Sequence, residues 1–494
     1  MQFSLAEIDS LVPPAYAEFR PIIHDGLDFF LTGLSQTRSA AICGRLDSLP
    51  SGAPPAQRAI VVMYECPALH KLGQVVARNP NMDPAFRHLL QQLETFTPKV
   101  TMEEIEGRLR RDLGDSIERY RIEIDSEPLA EASVAVVIGC RWRTPSGRGP
   151  SREGVLKVLK PGIEACLREE LAVLARLADY LDGRRSVYTL PDFRFRETFE
   201  AVRTQLEGEL QLDQEQKNLR AARRTASRVG GAFIPRVLPF STRTITAMER
   251  VPGAQLSEIC RESGTREYSE VLVDALVASV LVSADAQALF HADPHAGNLM
   301  TMEDGRMAIL DWSLAGRLRR AQREGIARVV LGAVRLDPAR IAAALADLAV
   351  HTPSVGSLDA PIAEALRQVR RGAVPGLSWV MELLDNTAFA GVVYSAELLL
   401  FRKAVFVLQG VIHDIDPEAS IDRLFSKVLV QRLAGELPRR LRGAGTVEVP
   451  IALRDLLAAY AVLPRTVMTY WAQTLGDLVS AARPSSRIGE GSGL

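Results

Sequence analysis

The chain has 494 residues, 47% of them hydrophobic and 24% charged, enough apolar content to bury more than one core and too much for a disordered segment. Lys+Arg 59 against Asp+Glu 60 leaves a formal net charge of −1, so the balance gives no reason to expect a nucleic-acid partner. The five cysteines, Cys43, Cys66, Cys140, Cys166 and Cys260, are odd in number and lack CxxC spacing, which argues against a disulfide framework or structural zinc and for a reducing compartment. The opening MQFSLAEIDSLVPPAYAEF has no positive stretch followed by an apolar core, so a cytoplasmic location is expected.

Taken in order, residues 1–120 read as a helical extension interrupted by a loop at Pro54-Pro55. A β-rich small lobe follows over 121–252. Ala132–Arg143 and Gly154–Leu159 are Val- and Ile-rich runs joined by the polar loop TPSGRGPSRE, which predicts two strands with Lys157 on the second. A helical stretch then carries Glu209, Asp213 and Glu215, and Thr244–Glu249 reads as a strand leading into a hinge where Gly253 turns the chain. Residues 253–435 are mostly helical, and 436–494 form a C-terminal helical segment and tail. No run of about 18 apolar residues suggests a spanning helix. Thr387–Phe401, interrupted by Glu397 and closed by Arg402-Lys403, predicts a buried helix, and Ile451–Val479 is amphipathic enough for either peripheral membrane contact or packing on a core. The predicted class is α+β, a protein-kinase-like bilobal fold of small β-rich lobe and large helical lobe with an N-terminal helical extension.

The segment from Phe290 to Asp311, FHADPHAGNLMTMEDGRMAILD, places Asp293, Asn298 and Asp311 at the order and spacing of a kinase-type centre. In such a centre the first Asp takes the acceptor's proton and the Asn and second Asp hold Mg²⁺, which needs only one or two protein oxygens besides phosphate and water. Met307–Leu310 after the turn Glu303-Asp304-Gly305 predicts strand, turn and strand, with Asp311 at the mouth. Taken singly these are also ordinary turn residues. The alternation of His291, Asp293 and His295 could suggest zinc or iron, but Pro294 works against aiming all three together. Lys157 reads either as a strand-edge lysine facing solvent or as the lysine of the α- and β-phosphates, with Glu209, Asp213 and Glu215 each a candidate partner.

Over roughly Ala68 to Ile421 the chain resembles the UbiB/AarF family of atypical protein-kinase-like proteins. The resemblance rests on Lys71-Leu72-Gly73-Gln74, which looks like the family's KxGQ motif, and on PLAEASVA from Pro128, similar to its alanine-rich loop. It extends to Lys157 with Lys160-Pro161-Gly162-Ile163, to ELQLDQEQKN, to HADPHAGN and to VLQGVIHDIDPEASI. Departures are Gln211 at the second acid of the ExD motif, Val136 for a Gln, Ala296 for a Pro, and Asp311-Trp312-Ser313 for Asp-Phe-Gly.

The resemblance implies an ATP-binding, Mg²⁺-dependent protein. It assigns catalysis to Asp293, Lys157 and Glu215, and metal binding to Asn298 and Asp311. Nucleotide contacts fall to Ala130, Ala132, Ser133, Ala135, Lys157, Glu249 and Val251, and a gating extension to Lys71, Gly73, Gln74 and Glu209. Family members are linked to ubiquinone and related isoprenoid lipids, so isoprenoid lipid or quinone-pathway proteins are the implied partners beside ATP. An active kinase or ATPase, a nucleotide-binding pseudokinase scaffold and a small-molecule phosphotransferase all stand as readings; the KxGQ-like segment counts against the third.

Overall fold

Strand and helix starts follow local chemistry closely in the computed structural model, which describes residues 12, 14–77, 100–146, 149–184, 187–188, 195–226, 229–256, 267–351, 356–373 and 375–441. Cys260 and the Ile451–Val479 segment lie outside these. The chain divides into two compact units, Met1–Leu219 with Pro235–Arg250, and Arg220–Ile234 with Val251–Leu494.

The first unit opens with helices α1 (Arg20–Thr32), α2 (Gln36–Asp47), α3 (Pro55–Glu65) and α4 (Pro67–Ala77). Ser35 caps α2, its side chain accepting from the Arg38 N–H. Proline opens both α3 and α4, where its missing N–H costs nothing, and Pro67 keeps Cys66 extended (ψ 90°), so the chain breaks cleanly between the two helices. Helix α5 (Met102–Leu113) starts at a Thr101/Glu104 capping box and buries Ile105, Leu109 and Leu113, one helical face. That face packs with Ile138, Leu156 and Ala247 in the core of an antiparallel sheet.

The sheet runs β1 (Glu123–Glu131), β2 (Ala135–Trp142), β3 (Arg152–Leu159) and β5 (Ile245–Glu249), in that spatial order; β4 (Ala232–Phe233) belongs to the second unit. β2 and β3 pair from Ala135↔Leu159 to Trp142↔Arg152, and Lys157 lies opposite Val137 on one side and Thr246 on the other. Strand β1 was not foreseen: its sequence, EIDSEPLAE, is polar and largely exposed, so it carries no apolar alternation. Helices α6 (Ile163–Gly183) and α7 (Phe195–Leu210) follow, and Leu167, Leu174 and Leu206 join Phe30, Ile42 and Leu69 in a second core. The extension therefore shares this core with helices of the sheet-bearing part. Helix α8 (Leu212–Ala226) begins in the first unit and ends in the second.

In the second unit, β4, β9 (Met307–Ile309), β8 (Leu299–Met302) and β6 (Gly253–Gln255) form one sheet in that order, and β7 (Gln287–His291) pairs with β10 (Ala315–Arg319). At Gly253 the expected turn has a steric reason: φ is +148° and a Cβ would lie 1.9 Å from the Thr301 carbonyl oxygen. Helices α9 (Glu267–Val273), α10 (Arg320–Val334), α11 (Pro338–Leu348), α12 (Asp359–Arg370), α13 (Leu377–Phe389), α14 (Ala396–Ile415) and α15 (Ile421–Leu441) make up most of the rest. Strand β11 (Ala349–His351) pairs with β12 (Val393–Tyr394).

The run Thr387–Phe401 is not one buried helix. It holds the end of α13, a turn at Gly391 (φ 95°), β12, and the start of α14 capped by Ser395. A left-handed glycine and a serine cap outweigh continuous hydrophobicity there, and Phe389 is 91% exposed.

Candidate active site

In the first unit, β3 and α8 bring Lys157 and Glu215 together. Lys157 Nζ lies 2.8 Å from Glu215 Oε1, with side-chain exposures of 11% and 1%. Of the three candidate acids only Glu215 meets Lys157. Asp213 pairs with Lys217 one turn on along the exposed face of α8, at 3.3 Å. Glu209 forms an ion pair with Lys71 on α4 and accepts a hydrogen bond from Ser133 Oγ at 3.0 Å, so one carboxylate ties the KxGQ-like helix to the alanine-rich turn. Gly73 is buried in α4, and Gln74 belongs to the same helix. Gln211, where the motif has an acid, is exposed at the junction of α7 and α8, its carbonyl accepting from the Gln214 and Glu215 N–H groups.

The alanine-rich turn is closed by the Ala132 N–H donating to the Ala135 carbonyl at 2.8 Å; Ala130 and Ala132 are exposed, Ser133 and Ala135 buried. The Glu131 side chain is buried, and its carboxylate takes the Lys160 ammonium at 2.7 Å, the Tyr64 hydroxyl and the Val100 N–H at 3.2 Å. Val136, in place of an amide, packs fully buried in the sheet core. At the end of β5 Glu249 meets Arg236, carboxylate to guanidinium at 2.9 Å and N–H to carbonyl at 3.0 Å; Val251 opens the second unit's next segment.

Helix α4 is anchored at its start by Glu170 of α6. The carboxylate is fully buried, accepts from the Ala68 N–H at 2.9 Å and pairs with Arg38 of α2, which also donates to the Glu65 carbonyl at 2.8 Å. Burial pushes the Glu170 carboxyl up to about 7, against the opposing pull of the Ala68 N–H and Arg38.

In the second unit β7 delivers the loop containing Asp293, and the short turn Ala296–Asn298 begins where His295 Nδ1 accepts from the Gly297 N–H. Asn298 Nδ2 donates to the Asp293 carbonyl at 3.1 Å, and the Leu310 N–H donates to the Asn298 carbonyl at 2.8 Å. Asn298 thus bridges the Asp293 loop and the strand end that carries Asp311. Asp311 sits at φ +48° and accepts from the Ser313 N–H at 3.2 Å. Trp312, buried, donates Nε1–H to the Ile309 carbonyl at 3.2 Å and meets the His291 ring edge-on at 4.8 Å, so the Asp-Trp-Ser segment is held from both sides. An amide and a carboxylate on hydrogen-bonded neighbouring segments are hard oxygen donors, a set suited to Mg²⁺ completed by phosphate.

The zinc or iron reading fails on His291. Its Nε2–H donates to the Leu310 carbonyl at 2.9 Å and its Nδ1 accepts from the Asp293 N–H at 3.2 Å, so both ring nitrogens are occupied, and complete burial lowers its pKa and keeps it neutral. Among the described residues no three His, Cys, Asp or Glu side chains cluster as a metal site.

One neighbour of this loop escaped sequence reading. Lys403 of α14 places Nζ 3.8 Å from Asp293 Oδ1, while His295 Nε2 lies 4.0 Å from Oδ2. In the sequence Lys403 only closes an apolar run, 110 positions away from Asp293, and no local motif joins them.

A strand-borne lysine paired with a helix glutamate, and an Asp–Asn–Asp constellation on a strand–turn–strand, define a protein-kinase-like protein. The ABC1 atypical kinase-like domain matches residues 92–345, just over half of the chain, and the chain belongs to that family. It is 32% identical over 259 residues to an aarF domain-containing protein kinase of Arabidopsis thaliana named as chloroplastic and uncharacterized, covering 50% of this chain and 46% of that protein. It is 26% identical over 372 residues to a Cellvibrio japonicus protein named Probable protein kinase UbiB (72% and 65% covered), and 27% identical over 381 residues to an uncharacterized Mycobacterium tuberculosis protein (73% and 72%). The chain thus spans about half the length of the first relative and just under two thirds of the second. Among solved structures, the Rv3197–erythromycin complex from Mycobacterium tuberculosis aligns with a TM-score of 0.47 at 20% identity, over 72% of this chain and 91% of that one. No described helix is long and apolar enough to cross a membrane.

Proposed function

We propose that the protein is a Mg²⁺-dependent, ATP-binding atypical kinase or ATPase that supports ubiquinone or other isoprenoid-lipid metabolism. The observation that carries this reading is Asn298, whose side chain donates to the Asp293 carbonyl and whose own carbonyl accepts from the N–H of Leu310, the residue before Asp311; the three would then offer a proton acceptor and two metal donors on hydrogen-bonded neighbouring segments. Lys157, held by Glu215, would meet the α- and β-phosphates; Asp293 would take the proton of the attacking hydroxyl or water; Asn298 and Asp311 would hold the ion. Bound Mg²⁺ supplies neutralisation of the phosphoryl charge. Lys71, tied through Glu209 to Ser133, is the extension's gating contact on the alanine-rich turn. The relatives' UbiB names support the quinone connection. The protein is read as cytoplasmic, working on or beside a membrane with isoprenoid lipid or quinone-pathway proteins as partners.

The test is phosphate release from Mg-ATP by the full chain, with and without phospholipid vesicles carrying an isoprenoid quinone, beside Asp311→Asn and Lys71→Ala. Turnover that Asp311→Asn abolishes and Lys71→Ala alters is expected. Mg-dependent ATP binding with no turnover would replace the reading with a nucleotide-switched scaffold.

A further inference from the structure

Asp293 is held from its own loop through backbone: its carbonyl accepts from the His295 N–H at 2.9 Å and from Asn298 Nδ2, and its N–H is taken by His291. Those contacts fix the main chain and leave the aim of the carboxylate to other groups. Among the side chains that face its oxygens are His295, with Nε2 4.0 Å from Oδ2, and Lys403, with Nζ 3.8 Å from Oδ1. His295 spends Nδ1 accepting the Gly297 N–H. Lys403 brings an ammonium from a different element altogether.

Its delivery is a matter of core packing. On α14, Leu398, Phe401, Val405, Leu408 and Ile412 are buried, and Phe401 stands edge-on to Phe290 of β7, ring centres 5.1 Å apart. Phe290 in turn lies over Gly316 of the paired strand β10, where a Cβ would come within 2.2 Å of the ring. Phe290 lies three residues before Asp293, and Phe401 two before Lys403. The aromatic pair therefore locks α14 to the strand that leads into the loop and sets the height at which the lysine emerges. Arg402, the adjacent residue, points elsewhere, to Asp385 of α13 at 2.5 Å. Two neighbouring cations on one helix thus have separate tasks, one tying two helices and one meeting the carboxylate.

We propose that Lys403 is a positioning residue of the phosphoryl-transfer centre, delivered by α14 to hold the Asp293 carboxylate in the orientation that receives the acceptor's proton. The inference rests on the kinase or ATPase reading above. In the step it serves, the oxygen of water or of a hydroxyl acceptor bonds to the γ-phosphorus as the bond to the β–γ bridging oxygen breaks. The electron pair of that bond leaves on ADP, and the acceptor's proton passes to Asp293. Lys403 neither binds the nucleotide nor ligates the metal, so its loss slows turnover without weakening Mg-ATP binding.

The experiment compares wild type, Lys403→Met, Lys403→Arg, Arg402→Met and Asp293→Asn in the full chain. Mg-dependent phosphate release gives kcat, a fluorescent ATP analogue gives Kd, and thermal melting confirms folding. Lys403→Met is expected to lower kcat by about tenfold or more with Kd within about twofold of wild type, and Lys403→Arg to recover most of the loss. Arg402→Met should leave kcat unchanged even if it lowers the melting temperature. Wild-type kcat in Lys403→Met, or a loss that Arg does not restore, overturns the inference while leaving the reading standing as long as Asp293→Asn is inactive. A wild-type protein without turnover, or an active Asp293→Asn, overturns the reading and the inference with it.

Discussion

Lys157 and Glu215 illustrate why a buried ion pair is poor evidence for stability. Desolvating both groups costs about as much as their attraction returns, whereas removing one partner leaves a buried charge uncompensated. Lys157→Met is therefore expected to destabilise the protein by about 3 kcal/mol, and the double variant Lys157→Met/Glu215→Leu by clearly less, read from urea denaturation. A double variant as unstable as the sum of the single ones would show that the two side chains do not interact. At this scale the placement of the candidate residues was legible: Lys157 lies on β3, and Asp311 follows the short strand β9 after a turn, as the Val-rich run and the strand–turn–strand pattern implied. Spacing alone left Glu209, Asp213 and Glu215 open as partners of Lys157, because all three lie on or beside one helical stretch; the family resemblance singled out Glu215, and the register of α8 against β3 does pair it with Lys157.

Among the elements, α4 matters most for its anchoring, since the helix carrying Lys71 is capped from another helix. Glu170 accepts its Ala68 N–H, and the carboxyl is raised to about 7 by burial from an ordinary value of 4.5. Between those two pH values the unfolded chain has lost the proton that the folded chain keeps, so stability falls as pH rises from about 4.5 to 7 and levels off above. Glu170→Gln keeps a neutral acceptor and should remove this slope. The variant is expected to gain on wild type between pH 5 and 7.5 by at most about 3 kcal/mol, measured as the difference in urea unfolding free energy. A constant difference across that range would contradict the assignment. Element periodicity exposed α5 and the Val-rich strands β2 and β3, where apolar residues face one core. It missed β1, whose polar sequence shows no apolar alternation and which pairs with β2 through the backbone and a cross-strand Glu123–Arg141 ion pair, and it merged α13, β12 and α14, whose separation depends on the backbone of Gly391 and the cap of Ser395.

For the whole molecule, ligand binding should register as stability. At Mg-ATP concentrations about 100 times Kd the folded state gains roughly 2.7 kcal/mol, so the melting temperature is expected to rise with Mg-ATP. Asp311→Asn should lose the part of the rise that depends on Mg²⁺; an unchanged Mg-dependent rise would remove Asp311 from the metal site. The division of the chain was not marked in its residues at Arg220–Ile234, where no compositional shift separates this stretch of the second unit from the first unit's segments around it. That short excursion has a consequence in time. During synthesis β5 can complete the first unit's sheet once residue 250 has emerged, whereas β4, made earlier, pairs in parallel with β9 at Ala232↔Met307 and Phe233↔Ala308. At about 5–20 residues per second the β4 segment waits roughly 4 to 15 s for a partner some 75 residues downstream. Throughout that interval the strand that takes its ladder hydrogen bonds in the folded chain does not yet exist, so water or another segment has to meet them.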